Sequence, residues 1–239
     1  MLVDMHCHII YGVDDGAQTE EDMHRMLDVA HENEVRHIIA TSHIEPGHKR
    51  FPAETYISHL QKANDYCRER GYGIDVHVGS EIMYTDVTPR LLHEGNVPTL
   101  DRTWTVLVEF LPDVKFKELC EAARDLGNEG MQVVFAHIER YQTLRASVRE
   151  VRELKEDFGV MMQMNCGTVL HKLGFMGERW KRKVLEDELI DMVASDAHNT
   201  TSRCCNVLKC HQTLTEMFDR AYADRLCGGC QAELFGLEA

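Results

Sequence analysis

Imidazoles and carboxylates recur along this sequence at spacings that let a folded chain hold metal ions. His6 and His8 are two positions apart, so on a strand both project from one side and both can bind one ion. Asp196 and His198 repeat that spacing with one carboxylate and one imidazole. Glu81 and Glu109 add anionic oxygens able to bridge two cations, and His43 and His137 add nitrogens. Mixed imidazole and carboxylate donors suit zinc, manganese or iron. Paired ions of that kind clamp an in-line displacement at phosphorus and generate hydroxide at neutral pH. Taken singly, each residue is more often structural: most surface H-x-H pairs bind nothing, and a lone strand histidine is commonly a satisfied core residue. Glu81 and Glu109 close apolar runs, where an unpaired buried carboxylate is costly. It is their joint placement that separates them from that background.

The elements that must position them are short. Seven apolar, β-rich runs lie at 2–8, 37–41, 75–81, 105–110, 132–137, 160–165 and 192–196. Helical periodicity or composition fills 19–33, 52–70, 115–129, 144–158, 180–189 and 211–226. Thr19 and Asp22 open the first helix as a capping box would, and Pro52 and Gly71 bracket the second. Strands alternating with helices predict a mostly parallel sheet. His6 and His8, Thr41-Ser42-His43, Glu81, Glu109, His137, Asn165 and Asp196-Ala197-His198 each fall at or just after a strand end. Parallel strands in a barrel present those ends on one face, where barrel enzymes build their sites. A doubly wound open sheet gathers fewer of them, at its switch point. A barrel therefore fits better.

The motif series also carries a family resemblance. His6-Cys7-His8 followed by Asp14-Asp15-Gly16, Thr41-Ser42-His43, Gly79-Ser80-Glu81, Glu109-Phe110, Ala136-His137-Ile138-Glu139-Arg140-Tyr141 and Ser195-Asp196-Ala197-His198-Asn199 resembles the PHP (polymerase and histidinol phosphatase) superfamily. Within it, the chain looks like the manganese-dependent protein tyrosine phosphatases of bacterial capsule and exopolysaccharide operons. The likeness runs from Met1 to about residue 200. It implies an α/β fold, a distorted seven-stranded TIM-like (β/α) barrel forming a single domain over 1–239. It further implies a trinuclear centre of manganese, with iron or zinc as alternatives. One ion would take His6, His8, Glu81 and Asp196; a second would share Glu81 and add Glu109 and His137; the third would take His43 and His198, with Asp15 near or bound to it. Asp14 stands beside Asp15, and either can instead orient a ligand or water. The implied substrate is phosphotyrosine on a protein, a tyrosine kinase with a Tyr-rich tail at the membrane's cytoplasmic face. The tail at Cys230-Gln231 departs from the family, which often has Asn-Pro or Asn-Ala there.

Arg140 follows His137 by three residues and Arg203 follows His198 by five. A guanidinium fork matches two phosphate oxygens, and both arginines match phosphate-binding positions of the resembled phosphatases. A proton for the leaving group could come from His43, His198 or an acidic neighbour, and sequence does not choose between them. Tyr141 and Phe110 could flank an aryl group but read more readily as core. None of the nine cysteines has Arg six positions later, so the C-x5-R thiolate chemistry is absent, as are G-x-S-x-G and the G-x-x-x-x-G-K-[ST] loop. Cys204, Cys205, Cys210, Cys227 and Cys230 cluster late in the chain. Their irregular spacing favours buried reduced thiols and a helix-ending Gly228-Gly229 over half of a structural zinc site.

A net charge of −14 disfavours a broad electrostatic grip on nucleic acid or anionic lipid, but not an anionic substrate held through cations. No apolar run approaches the ~18 residues of a membrane span, and the first residues carry no signal-peptide pattern, so the expectation is cytoplasmic without membrane insertion. The nearest rival is a small-molecule phosphatase such as a histidinol-phosphate phosphatase, which would share the metals. The Val-Asp-Asp-Gly start and the Ala-His-Ile-Glu-Arg-Tyr run favour the tyrosine phosphatase branch. A nuclease lacks its basic stripe here. A non-catalytic metal scaffold would not need two phosphate arginines.

Overall fold

In the computed structural model, which describes residues 1–47 and 51–237, nine strands form two parallel sheets. β1 (Leu2–Cys7), β2 (Val35–Ala40) and β4 (Asp75–Val78) form one sheet in that order. β3 (His43–Ile44), β5 (Glu81–Met83), β6 (Thr105–Glu109), β7 (Gln132–Phe135), β8 (Met161–Asn165) and β9 (Met192–Ala194) form the other, which curls. Every pairing is parallel. Past the end of β9 the Asp196 N–H donates to His6 O, and the His8 N–H to Ala197 O, each at 2.8 Å. These bonds bring the last strand end to the first.

The count differs from the seven runs read from sequence because the run over 75–81 divides into β4 and β5, and a short strand, β3, follows the run over 37–41. Between β2 and β3 lie Thr41 and Ser42, and between β4 and β5 lie Gly79 and Ser80. Buried Tyr56 occupies the gap: its hydroxyl donates to Ala40 O at 2.6 Å and accepts the Gly79 N–H at 3.1 Å. Backbone groups that a ladder would satisfy are satisfied by this phenol instead. Gly79 is tight as well, since a Cβ there would lie 2.7 Å from Ile39 Cγ2.

Helices cover the strands. α1 (Glu20–Glu32) starts on the expected Thr19–Asp22 capping box, and α2 (Ala53–Arg70) ends at Gly71 with φ 66°. α3 (Thr88–His93) and α4 (Phe116–Asn128) follow. The segment read as one helix over 144–158 is α5 (Gln142–Ala146) and α6 (Val148–Phe158). They part at Ser147, whose extended backbone lets its hydroxyl cap α6. α7 (Cys166–Leu170) and α8 (Gly174–Glu186) follow β8. The end of the chain, read as one helix over 211–226, is α9 (Val207–Met217), α10 (Arg220–Asp224), a π turn over Arg225–Gly229 and α11 (Cys230–Phe235). Gly228-Gly229 therefore does not end a helix. Gly228 passes against the N-terminus, where a Cβ would meet Met1 O at 2.1 Å.

One apolar cluster lies between strands and helices, and a second joins Met5, Ile39, Leu107, Val134 and Met192 from five strands to Phe235 of α11. At about 25 cal/mol per Å2 of apolar surface removed from water, these clusters supply the main force that holds the strand ends in place. All nine cysteines are free, and Cys166, Cys210 and Cys227 are buried in the core. No helix among the described residues is long and apolar enough to cross a membrane.

Candidate metal centre

The strand termini and the loop after β1 bring the nine sequence-predicted ligands into one cluster, with His43 and Glu81 at the starts of their strands and the others at or beyond strand ends. His6 and His8 leave β1, Glu81 opens β5, and Glu109 closes β6. His43 opens β3 in register with Glu81. His137 and Asp196, just past β7 and β9, have φ of 31° and 54°. Left-handed backbone at non-glycine residues is strained and concentrates at functional sites, and here it occurs at two of the strand-end ligands. The loop after β1 also turns tightly, because a Cβ at Gly16 would lie 2.0 Å from His8 O. Only glycine fits there.

Glu81 is the hub. Its Oε2 is buried with no hydrogen-bond partner, yet His6 Nε2, His8 Nε2 and His43 Nδ1 stand 3.2, 3.1 and 3.1 Å away. Its Oε1 lies 2.7 Å from His137 Nε2. His43 Nδ1 is also 2.9 Å from Glu109 Oε1, while its Nε2 faces Asp15 Oδ1 at 3.4 Å. His198 Nε2 faces the same Asp15 oxygen at 3.3 Å. Asp196 Oδ1 lies 3.5 Å from His6 Nε2 and 3.6 Å from His8 Nε2. His137 is farther from Glu109, at 3.7 Å. The donors fall into three overlapping groups: His6, His8 and Glu81; His43, Glu81 and Glu109; and His8, Asp15, His43 and His198.

The donor set fits divalent ions. Ligand atoms about 2.1 Å from a shared ion sit roughly 3 Å apart, which is the spacing seen around Glu81 Oε2. The imidazole tautomers point the same way. Gln163 Oε1 takes His6 Nδ1 at 3.2 Å, Asp14 Oδ2 takes His8 Nδ1 at 2.9 Å, and the Asp196 carbonyl takes His198 Nδ1 at 3.0 Å. Each partner orients a ring so that its Nε2 lone pair faces the cluster. His6 Nε2 and His8 Nε2 then meet at 3.2 Å, a contact that a shared metal ion or a proton on one ring would satisfy.

Without an ion, protons fill that role. Burial works against a charged His6, yet the charges of Glu81 and Asp196 outweigh it and lift His6 to about 9. Burial likewise opposes His43, but Glu109 and Glu81 raise it to about 9. Burial would raise Glu81, and His6 and His137 pull it well below the usual carboxylate range. His198 goes the other way: burial, then the charge of His8, lowers it to about 4.

Asp14 and Asp15 separate into the two roles left open by sequence. Asp14 is buried beneath His8 and also accepts the N–H groups of Gly16 and His43, which makes it an orienting group. Burial opposes its ionisation, but the His8 bond and charge hold it down at about 2. Asp15 is exposed and reaches His43 and His198.

Arg140 and Arg203 both reach the cluster through Asp196, on Oδ2 at 2.5 Å and Oδ1 at 2.9 Å respectively. Arg140 ends the single turn Ile138–Arg140, and Arg203 is presented by a loop that Asn199 closes by accepting the Thr201 and Arg203 N–H groups. Tyr141 is core: it is fully buried and its hydroxyl accepts the Phe110 N–H. Sequence reasoning missed Gln163, although a polar residue inside the apolar run Met161-Met162-Gln163-Met164 was a signal. It also missed Glu139, which accepts the Asn165 N–H and the Thr168 hydroxyl and so ties the His137 turn to α7.

Known proteins share this arrangement of chain. Tyrosine-protein phosphatase CpsB of Streptococcus pneumoniae is 32% identical over 208 residues, covering 84% of this chain and 85% of that one. Tyrosine-protein phosphatase YwqE of Bacillus subtilis is 31% identical over 207 residues, covering 84% and 79%. A solved structure from a study of YwqE and CpsB, described there as unique metal-dependent tyrosine phosphatases, matches with a TM-score of 0.87 at 26% identity over 100% of this chain and 96% of that one. The histidinol phosphate phosphatase of Lactococcus lactis matches at a TM-score of 0.59 and 15% identity over 93% of each chain, a likeness of fold alone. The model of the family described as capsular polysaccharide synthesis, CpsB/CapC, matches residues 2–235, and this chain belongs to that family.

Proposed function

We propose that this protein is a metal-dependent phosphatase that hydrolyses phosphotyrosine on a protein. The observation that carries the reading is the environment of Glu81 Oε2, a buried carboxylate oxygen without a hydrogen bond and ringed by three imidazole nitrogens. Two to three divalent ions, with manganese preferred to iron or zinc, would be held by His6, His8, Asp15, His43, Glu81, Glu109, His137, Asp196 and His198. Such donors accept several metals, so availability selects among them. The two sheets are read as one closed, seven-stave barrel in a single domain, with β2 running on into β3 and β4 into β5.

Bound ions supply neutralisation of phosphoryl charge and a deprotonated water at neutral pH. The chain's own residues do the rest. Glu81 and Glu109 fix the imidazoles around the reacting centre. Arg140 and Arg203, each partly exposed beside Asp196, offer N–H groups to the non-bridging oxygens and to the charge that develops on them. Phenolate leaves readily, so a strong acid is not required. His43 faces the opening and His198 lies deeper, so in this reading His43 supplies the proton to the phenolate oxygen. The partner of this reading is the tyrosine-bearing C-terminal tail of a membrane-associated kinase that controls capsule or exopolysaccharide synthesis, met in the cytoplasm.

Phosphate release by chelator-stripped, manganese-reloaded protein tests the reading, with a phosphotyrosine peptide and histidinol phosphate assayed in parallel. Preference for the peptide, lost with chelator, is expected. Preference for histidinol phosphate would keep the reaction type and overturn the substrate.

A further inference from the structure

A second cleft opens beside the metal centre. The opening over Asp15, His43 and Glu109 has a volume of about 430 Å3, and it shares Glu45 and Met83 with a neighbouring cleft of about 940 Å3. The larger cleft runs from the ends of β5 and β6 to α4. Part of its lining is apolar: the rings of Tyr84 and Phe110 lie 5.6 Å apart, and Leu111 stands 63% exposed beside them. A peptide whose phosphotyrosine reaches the metals must carry its next residues out of the opening, and this cleft is continuous with it.

Charge selects what those residues are. Carboxylates outnumber basic side chains six to two among the residues lining this cleft. Glu118, Glu121 and Asp125 fall at helical spacing along α4, so they form one acidic edge. Asp86 and Asp113 line the same cleft. Lys117 pairs with Glu121 at 3.1 Å and the Arg124 guanidinium lies over the Phe158 ring at 5.6 Å, so the edge is partly offset, but the cleft keeps its excess of carboxylates. Tyr84 reports the same field: burial and the neighbouring Asp125 charge push its phenol up to about 12.

Resting on the phosphatase reading, we infer that the cleft binds the chain next to the phosphotyrosine and selects segments with lysine or arginine within a few residues of it. The phosphate goes to the cationic centre and the basic side chains to the acidic cleft. Opposite charges on adjoining surfaces fix the direction in which the peptide lies and speed its encounter. An acidic flank would be repelled by the same carboxylates.

The test uses the whole manganese-loaded chain and compares three phosphotyrosine peptides, flanked by lysine, by alanine and by glutamate, with a small aryl phosphate as reference. The lysine peptide is expected to exceed the glutamate peptide in kcat/KM by about tenfold at low salt, with the gap closing in molar salt. The doubly reversed variant Asp86→Lys, Asp113→Lys is expected to shrink or invert that ratio. Turnover of the aryl phosphate together with equal turnover of all three peptides overturns the cleft and leaves the phosphatase reading. No phosphate release from any substrate overturns both.

Discussion

Gln163 Oε1 lies 3.2 Å from His6 Nδ1 and also accepts the backbone N–H of His137 at 2.6 Å. A backbone N–H can only donate, so the atom is the amide oxygen and His6 must give it the Nδ1 proton. His6 Nε2 is thereby aimed at Glu81 and Asp196, and one buried amide holds the His6 ring and the His137 backbone. The same amide donates to Asn165 Oδ1, and Asn165 donates to Asp196 Oδ2, so the chain of bonds spans β1, β8 and the turn after β9. Gln163→Leu is expected to weaken manganese binding about 10- to 100-fold, read by calorimetric titration. Unchanged affinity would mean that the β1 backbone alone orients His6.

Arg140 and Arg203 sit on opposite oxygens of Asp196, and each is proposed to take a phosphate oxygen during turnover. Arg203→Ala is expected to lower kcat on a phosphotyrosine peptide by about 100-fold while bound metal is kept. Arg203→Lys should restore little of it, since an ammonium lacks the planar fork. Full activity in both variants would remove Arg203 from the reaction.

Tyr56 holds the interrupted strands together through Ala40 O and the Gly79 N–H, only a few residues from His43 and Glu81. Tyr56→Phe leaves both backbone groups buried and unpaired, and should cost about 1–3 kcal/mol in denaturant unfolding. A loss well below this range would show that water replaces the hydroxyl.

The ion-free centre has a predictable pH dependence. His6 and His43 move from 6.5 to about 9, so their ion pairing contributes fully below pH 6.5 and is lost as pH rises through 9. On the acid side Asp14 moves from 3.8 to about 2, so its contribution is present above 3.8 and lost as pH falls through 2. Melting temperatures of chelator-treated protein should therefore fall between pH 6.5 and 9, and metal loading near neutrality should release protons. A melting temperature that rises across that window contradicts the assignment.

The cluster of candidate ligands was legible because its residues lie at or beside strand termini. His6-Cys7-His8 and Asp196-Ala197-His198 advertise themselves by two-residue spacing, and the apolar runs before Glu81, Glu109 and His137 locate the rest. What supports them was less visible. Nothing in the spacing of Tyr56 ties a helix residue to a gap between strands, since that contact is made only in three dimensions. Asp14 and Asp15 are chemically equal in sequence, and only the tight turn at Gly16 puts one under His8 and the other outside. Ser147 breaks a well-patterned helix because its hydroxyl competes for the N–H groups of the following turn.

The central claim is that one carboxylate, Glu81, organises a metal centre on which phosphotyrosine hydrolysis depends. Metal content by elemental analysis, taken together with turnover of a phosphotyrosine peptide, tests it in Glu81→Ala against the unaltered protein, with both first shown folded by circular dichroism. The account predicts fewer bound ions and loss of activity in the variant. A folded Glu81→Ala with full metal content and full turnover would contradict it.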